Sequence, residues 1–384
     1  MMKTFEFLLP TRIVFGNGVI KNVGQEAKKL GRRALIVTDK GVLRTGCIDA
    51  IKDHLTGSGL AVEIFDAVEP NPRDTTVQKG AAVAKDFGCD LLVGVGGGSA
   101  IDTAKAIGVI VAEGGIIQDY EGLDKVQKPI MPLIAIPTTA GTGTEVTFWA
   151  VVTDTERKFK MSIGSLLMAA RIALVDPEIT FSLPASLTAS TGIDALVHAI
   201  EAYTALSAQP ISDALALSAI ELIGQNIRPA YANGHNAEAR YNMMLGSMLA
   251  GISFGNSDTA GVHCMGEAMG GLYDSGHGVC MAICLPYWAE YNLIADPAKF
   301  VEVAEALGEC VEGLPVMEAA QKTVAAVWKL CDDLNIPTAR EEGLREEDFE
   351  RLAEAASNNV CVADNPRVMT KEDFLLLFKK MYSQ

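Results

Sequence analysis

Four side chains in the second half of the sequence, Asp194, His198, His263 and His277, are of the types that hold a divalent first-row metal. Asp194 and His198 lie four residues apart in TGIDALVHAIEAY. A helical reading of that segment puts both on one face, one turn apart. His263 falls in the next helical stretch, SDTAGVHCMGEAMGG, and His277 follows the glycine-broken loop YDSGHG. The chain has five histidines, so three in one apolar, glycine-rich region is not a surface distribution. One carboxylate and three imidazoles suit a divalent first-row ion such as Fe(II) or Zn(II), and leave room for a substrate oxygen on a Lewis-acidic ion. Taken singly, each residue reads better as a core histidine or a helix-capping aspartate. The set of four is what points to a metal. His54 and His235 sit in polar contexts and read as surface residues.

A second chemistry-bearing stretch precedes these. Gly94-Val-Gly96-Gly97-Gly98-Ser99 leaves a buried strand and opens the helix AIDTAKAIGVIV. Glycines let the backbone approach a ligand closely, and a helix start offers unpaired N–H groups to phosphate. The candidate contacts are Gly97, Gly98, Ser99 and Asp102. Ser99 stands where a full G-x-G-x-x-G pattern has its last glycine, so a plain strand-to-helix turn stays open as a reading. The loop PTTAGTGTE, with Thr138, Thr139 and Thr142, also follows a buried strand and belongs at the same sheet edge. Asp39 ends the strand ALIVTD. It reads either as an acceptor for a ribose hydroxyl, favouring NAD over NADP, or as the cap of the next turn.

The elements that must position these groups change character along the chain. Continuous apolar strands (ALIVTD, AVEIFD, DLLVGVG, PLIAIPTT, ARIALVD) alternate with helices up to about Pro184, which predicts an α/β domain with a mainly parallel, doubly wound sheet. FEFLLP and TRIVFG read as a short opening hairpin whose edge would pair across a two-fold axis, giving a homodimer. From Thr188 onward the pattern is helix after helix. The expected division is therefore 1–184, dinucleotide-binding, and 185–384, helical and metal-binding. A chain of 384 residues fits two such domains. A net charge of −16 argues against nucleic acid or an anionic membrane surface as partner. The N-terminal segment lacks the pattern of a signal peptide, and eight cysteines without a C-x-x-C pair read as free thiols, so a cytoplasmic location is expected.

A dinucleotide site and a Lewis-acidic metal together suggest hydride transfer in a cleft between the two domains. The residues also carry a resemblance. GGGSAIDTAKA, PTTAGTGTEVT, TGIDALVHAIEAY, the His263–His277 segment with HGVCMAICLPY, and NPRVMTKEDF resemble the iron-dependent (group III) alcohol dehydrogenases over nearly the whole chain. The resemblance implies the dehydroquinate-synthase-like architecture, with Asp194, His198, His263 and His277 as metal ligands. It further implies cofactor contacts at Asp39, Asn71, Gly98, Ser99, Thr138, Thr139 and Lys160, and a small primary alcohol or aldehyde as substrate. This chain departs from the family pattern at Glu267, where many relatives carry a second histidine. Glu267 is a candidate for proton handling, for metal binding or for repelling anionic substrates. Phe254, Trp149 and Cys361 are candidate walls of the substrate pocket. A polyol or hydroxyacid dehydrogenase, a dehydroquinate-synthase-like lyase and a non-catalytic dinucleotide sensor are the competing readings.

Overall fold

Ala34 and Ile36 face one side of a sheet, and Leu35 and Val37 face the other. All four are fully buried, which is why this strand is a continuous apolar run and not an alternating one. A computed structural model, describing residues 4–383, places it as β2 (Arg33–Asp39) in a six-stranded parallel sheet. The other members are β1 (Arg12–Phe15), β3 (Ala61–Val68), β4 (Leu91–Gly96), β6 (Leu133–Pro137) and β9 (Ile172–Val175), in the order β1-β9-β6-β4-β2-β3. A smaller sheet holds β5 (Gly122–Leu123), β7 (Trp149–Asp154) and β8 (Phe159–Gly164), with β7 and β8 antiparallel. Helices α1 (Val23–Leu30) and α3 (Cys47–Gly57) cover one face of the large sheet, with the short α2 (Lys40–Leu43) following β2. Helices α4 (Asp74–Phe87) and α5 (Gly98–Ala112) cover the other. From β2 the chain runs outward to β3 and then returns to β4 on the opposite side. The sheet therefore reverses direction between β2 and β4, and the carboxyl ends of that pair form the crevice where doubly wound sheets take ligands.

The framework divides into two compact units, Leu9–Thr139 with Gly143–Leu183 as one, and Pro184 onward with Ala140–Thr142 and the described residues before Leu9 as the other. The second unit is built on α6 (Ala185–Thr204), α7 (Pro210–Ala232), α8 (Ala237–Phe254), α9 (Gly261–Tyr273), α10 (His277–Asn292), α11 (Pro297–Ala306), α12 (Val316–Asp333), α13 (Phe349–Ser357) and α14 (Lys371–Ser383). Residues 192–204 of α6 are all buried, and α7, α8 and α10 pack around it. A helix apolar on every side is a central helix, so any polar group on it needs an internal partner. Among the described residues, no helix is long and apolar enough to cross a membrane.

The expected opening hairpin is not formed. TRIVFG supplies β1, but it pairs in parallel with β9 at the far end of the unit. FEFLLP forms no strand. The Leu8 N–H instead donates to Asn256 Oδ1 (2.6 Å) and Leu8 O accepts from Asn256 Nδ2 (3.0 Å), so a side chain takes the hydrogen bonds a hairpin partner would have taken. The antiparallel pair β7–β8 was not expected as a hairpin.

Candidate metal centre and nucleotide site

Asp194, His198 and Glu201 lie on one face of α6, at spacings of four and three residues, and all three are buried. Glu201 reaches the first turn of α9. Its Oε1 accepts from the Val262 N–H (2.6 Å), and its Oε2 meets His263 Nδ1 (2.5 Å). That contact assigns the proton to His263 Nδ1 and turns the Nε2 lone pair inward, toward His198 Nε2 at 3.1 Å. His277, the first residue of α10, brings Nε2 to 3.4 Å from Asp194 Oδ1. One ligand atom from each of Asp194, His198, His263 and His277 lies within 4.8 Å of all the others. Bonds of about 2.1 Å to a shared ion produce separations like these.

Two further contacts hold the frame. Gly278, next to His277, lies against α6 so closely that a Cβ would stand 2.6 Å from Ser190 O. Asn365 joins three segments: its Oδ1 accepts from the Gly261 N–H (3.0 Å) and from Trp288 Nε1 (2.7 Å), and its Nδ2 donates to Asn292 Oδ1 (2.7 Å). The electrostatics favour one added positive charge. Burial pulls the His263 pKa down, but the Glu201 carboxylate outweighs it and raises the value to about 9. Burial and the neighbouring His263 push His198 well below the usual imidazole range. A pair of imidazoles that accepts one charge but not two, facing a carboxylate, has the donor chemistry of a divalent-cation site.

In the sheet unit, Gly96 ends β4 at φ +153°, a backbone conformation open to glycine, and α5 begins two residues later. No side chain caps the start of α5 and no acidic residue lies in its first turn; Ala100 and Ile101 donate to Gly97 O, which leaves the Gly98 and Ser99 N–H groups at the helix start placed to meet an anion. The Thr138 N–H donates to Gly96 O (2.9 Å), and Thr139 Oγ1 lies 3.4 Å from where a Cβ on Gly97 would stand. The glycine and threonine loops thus touch. Of the two readings the sequence left open for Asp39, the structure shows the cap. Its Oδ1 caps α2 through Gly41 N (2.7 Å) and Val42 N (3.0 Å), while Oδ2 faces Gly96. Asn71, after β3, is buried at φ +56°, and Lys160 on β8 is buried, not an ordinary surface lysine.

The chain matches the model of the iron-containing alcohol dehydrogenases over residues 10–177 and that of the family's C-terminal region over residues 188–382. It is 43% identical over 375 residues to the NAD-dependent methanol dehydrogenase of Bacillus methanolicus, covering 97% of this chain and 98% of that protein. It is 42% identical over 384 residues to the 1,3-propanediol dehydrogenase of Klebsiella pneumoniae, covering 99% of each. A crystal structure of 1,3-propanediol oxidoreductase superposes with a TM-score of 0.96 at 42% identity, covering 99% of this chain and 100% of that one. The chain belongs to the iron-containing alcohol dehydrogenase family. It is an oxidoreductase.

The remaining candidates fall in different places on this alcohol dehydrogenase. Phe254 stacks on His198, ring centroids 4.4 Å apart at 18°, and so forms a wall of the metal centre. Glu267 follows His263 by one turn of α9 and is half-buried. It accepts from Asn359 Nδ2 (2.6 Å). Cys361 receives Thr259 Oγ1 at 3.1 Å, and burial raises its thiol pKa well above the ordinary value. Trp149 begins β7. Its ring lies over Gly164 and is stacked on Phe148, and its carbonyl accepts from Lys105. Asp102 commits both oxygens internally, to Thr144 Oγ1 (2.5 Å) and the Val151 N–H (3.0 Å), so it braces the threonine loop. Thr142 is half-buried and belongs to the helical unit. Glu201 and Asn365 were missed. Glu201 had a signal: a third polar residue on the face of Asp194 and His198 in an otherwise apolar helix.

Proposed function

We propose that this chain interconverts small primary alcohols or diols and their aldehydes, with NAD as hydride carrier and Fe(II) held by Asp194, His198, His263 and His277. The observation that carries this reading is the convergence of those four side chains, with Glu201 behind His263. Iron, when bound, supplies the Lewis acidity that makes an alcohol hydroxyl more acidic. Glu201 fixes the His263 ring and its tautomer. Phe254 gives one side of the centre an apolar surface suited to a short carbon chain. Glu267, on the His263 face of α9, is the proposed group for passing a proton toward solvent. In the sheet unit, the glycine loop and the start of α5 take the pyrophosphate, with Thr138 and Thr139 beside it. Asp39 Oδ2 takes the adenosine ribose, where a 2′-phosphate would be repelled.

We further propose residues 1–184 and 185–384 as the nucleotide and metal domains, and a cytoplasmic homodimer. That none of the eight cysteines is in a disulfide supports a reducing compartment, and β1 is an edge strand able to pair with a second copy.

The test is metal-free protein loaded anaerobically with Fe(II), Zn(II) or Mn(II), with NADH absorbance followed across primary alcohols, diols, polyols and hydroxyacids. NADH formed in proportion to a simple alcohol supports the proposal. Turnover of a sugar acid without NADH would replace it with a lyase, and turnover confined to polyols or hydroxyacids would move the substrate class. Light scattering on a sizing column reads the oligomer.

A further inference from the structure

Lys105, on α5, is fully buried, and its ammonium is met by neutral oxygens and not by a carboxylate among the described residues. Its ammonium meets four oxygens: Trp149 O (2.6 Å), Thr144 O (2.7 Å), Thr144 Oγ1 (2.8 Å) and Thr147 O (3.0 Å). Three N–H bonds serve four acceptors, so at least one is shared. The Thr144 hydroxyl accepts from Lys105 and donates to Asp102 Oδ1, one turn back on the same helix. Asp102 Oδ2 in turn holds the Val151 N–H of β7. Two residues of α5 therefore fix the backbone from Thr144 into the start of β7, where the carbonyls of Thr144, Thr147 and Trp149 point at a helix side chain.

Burying an ammonium costs several kcal/mol unless every donor is used, and an apolar residue of similar length would fill the space without that cost. The arrangement makes sense where it serves position. The helix that carries Lys105 begins at Gly98, and the loop it grips begins at Thr138, whose N–H is bonded to Gly96 O. The loop is thus tied to the glycine segment at its near end and to the helix body at its far end.

Building on the NAD reading above, we propose that Lys105 is a positioning residue for the dinucleotide: it locks the threonine loop to the helix that opens at the glycine turn, so that both arms of the nucleotide site are held in one arrangement. It touches no cofactor atom in this role. It acts through Thr144 and the loop backbone.

The experiment is NADH fluorescence titration of the full-length, metal-free protein, wild type against Lys105→Met, with metal stoichiometry, circular dichroism and steady-state kinetics alongside. Lys105→Met is expected to keep its fold and metal stoichiometry but to bind NADH about ten-fold more weakly, because the site is no longer pre-arranged. The KM for NAD rises in step while kcat at saturating NAD stays within about two-fold. A folded Lys105→Met with wild-type NADH affinity overturns the proposal. So does a variant that merely loses binding-competent molecules while the remainder bind with unchanged affinity. Should Lys105→Met fail to fold, Thr144→Val decides. It removes only the hydroxyl between Lys105 and Asp102, and an unchanged NADH affinity in that variant overturns the proposal as well. A wild type that binds no NADH defeats the NAD reading itself. A wild type that binds it, beside an equally competent Lys105→Met, defeats only the positioning claim.

Discussion

Replacing Glu201 by Gln keeps the size of the side chain but removes the charge that holds His263 Nδ1 and, with it, the inward lone pair. Outer partners of this kind are worth about 10–100-fold in metal affinity. Glu201→Gln is therefore expected to lose iron at correspondingly lower chelator concentration, measured by metal content after dialysis against a graded chelator series. An unchanged release curve would mean the carboxylate does not orient the ligand. At this scale the sequence was highly readable. Asp194, His198, His263 and His277 were picked out by type and spacing, and the structure gathers them. What it could not reveal was which residues stand behind them. Glu201 shows in the sequence only as a third polar residue on the face of Asp194 and His198, and its contact with His263 is what reveals its role. Asp102 shows the opposite case. A carboxylate in a glycine-rich motif resembles a ligand contact until its two oxygens are seen bonded within the loop.

Helix α10 can deliver His277 only because Gly278 lets it approach α6. Gly278→Ala would put a methyl 2.6 Å from Ser190 O, a backbone atom that cannot rotate away. The expected result is a loss of about 1–3 kcal/mol in stability and a weaker metal site, since α10 must retreat from Asp194. Thermal unfolding with and without metal checks both parts. Asn365→Ala acts on the neighbouring elements. It strips the acceptor from the Gly261 N–H and Trp288 Nε1, both buried, at about 1–3 kcal/mol per orphaned group. Denaturant midpoints would show it, and a midpoint equal to wild type would refute the clamp. The elements themselves were legible wherever a buried run had a single period, as in β2, β4 and β6. They failed at the beginning of the chain because a strand's partner is a long-range fact. TRIVFG has the composition of a strand, but nothing local says that it pairs in parallel with β9. FEFLLP is apolar enough for a strand and is satisfied by Asn256 instead.

Across the whole molecule, pH acts through buried groups more than through the surface. Burial raises the Glu145 carboxyl to about 7, even with Lys105 nearby pulling the other way. The folded chain then keeps a proton that the unfolded chain has released. The stability this group contributes is full below its unfolded value of 4.5 and is lost as pH rises toward 7, by at most about 1.4 kcal/mol per pH unit. Glu145→Gln resembles the protonated form. Its advantage in melting temperature over wild type should therefore widen between pH 5 and pH 7, and a constant difference would show that Glu145 is ionised throughout. That a sheet-built N-terminal region gives way to a helical C-terminal part was readable from the change of period along the chain. That Ala140–Thr142 and the segment before Leu9 belong with the helical unit was not, because chain order does not encode membership in a core.

The amide of Asn365 also sets an order of events during folding. Asp194, His198, His263 and His277 all precede it in the chain, yet the helices carrying two of them are tied to a side chain 104 residues beyond Gly261 and 73 beyond Asn292. Four ligands gathered early would still lack this fastening. The metal centre therefore reaches its finished surroundings only once the stretch around Asn365 has been made and has folded back across the helices it fastens.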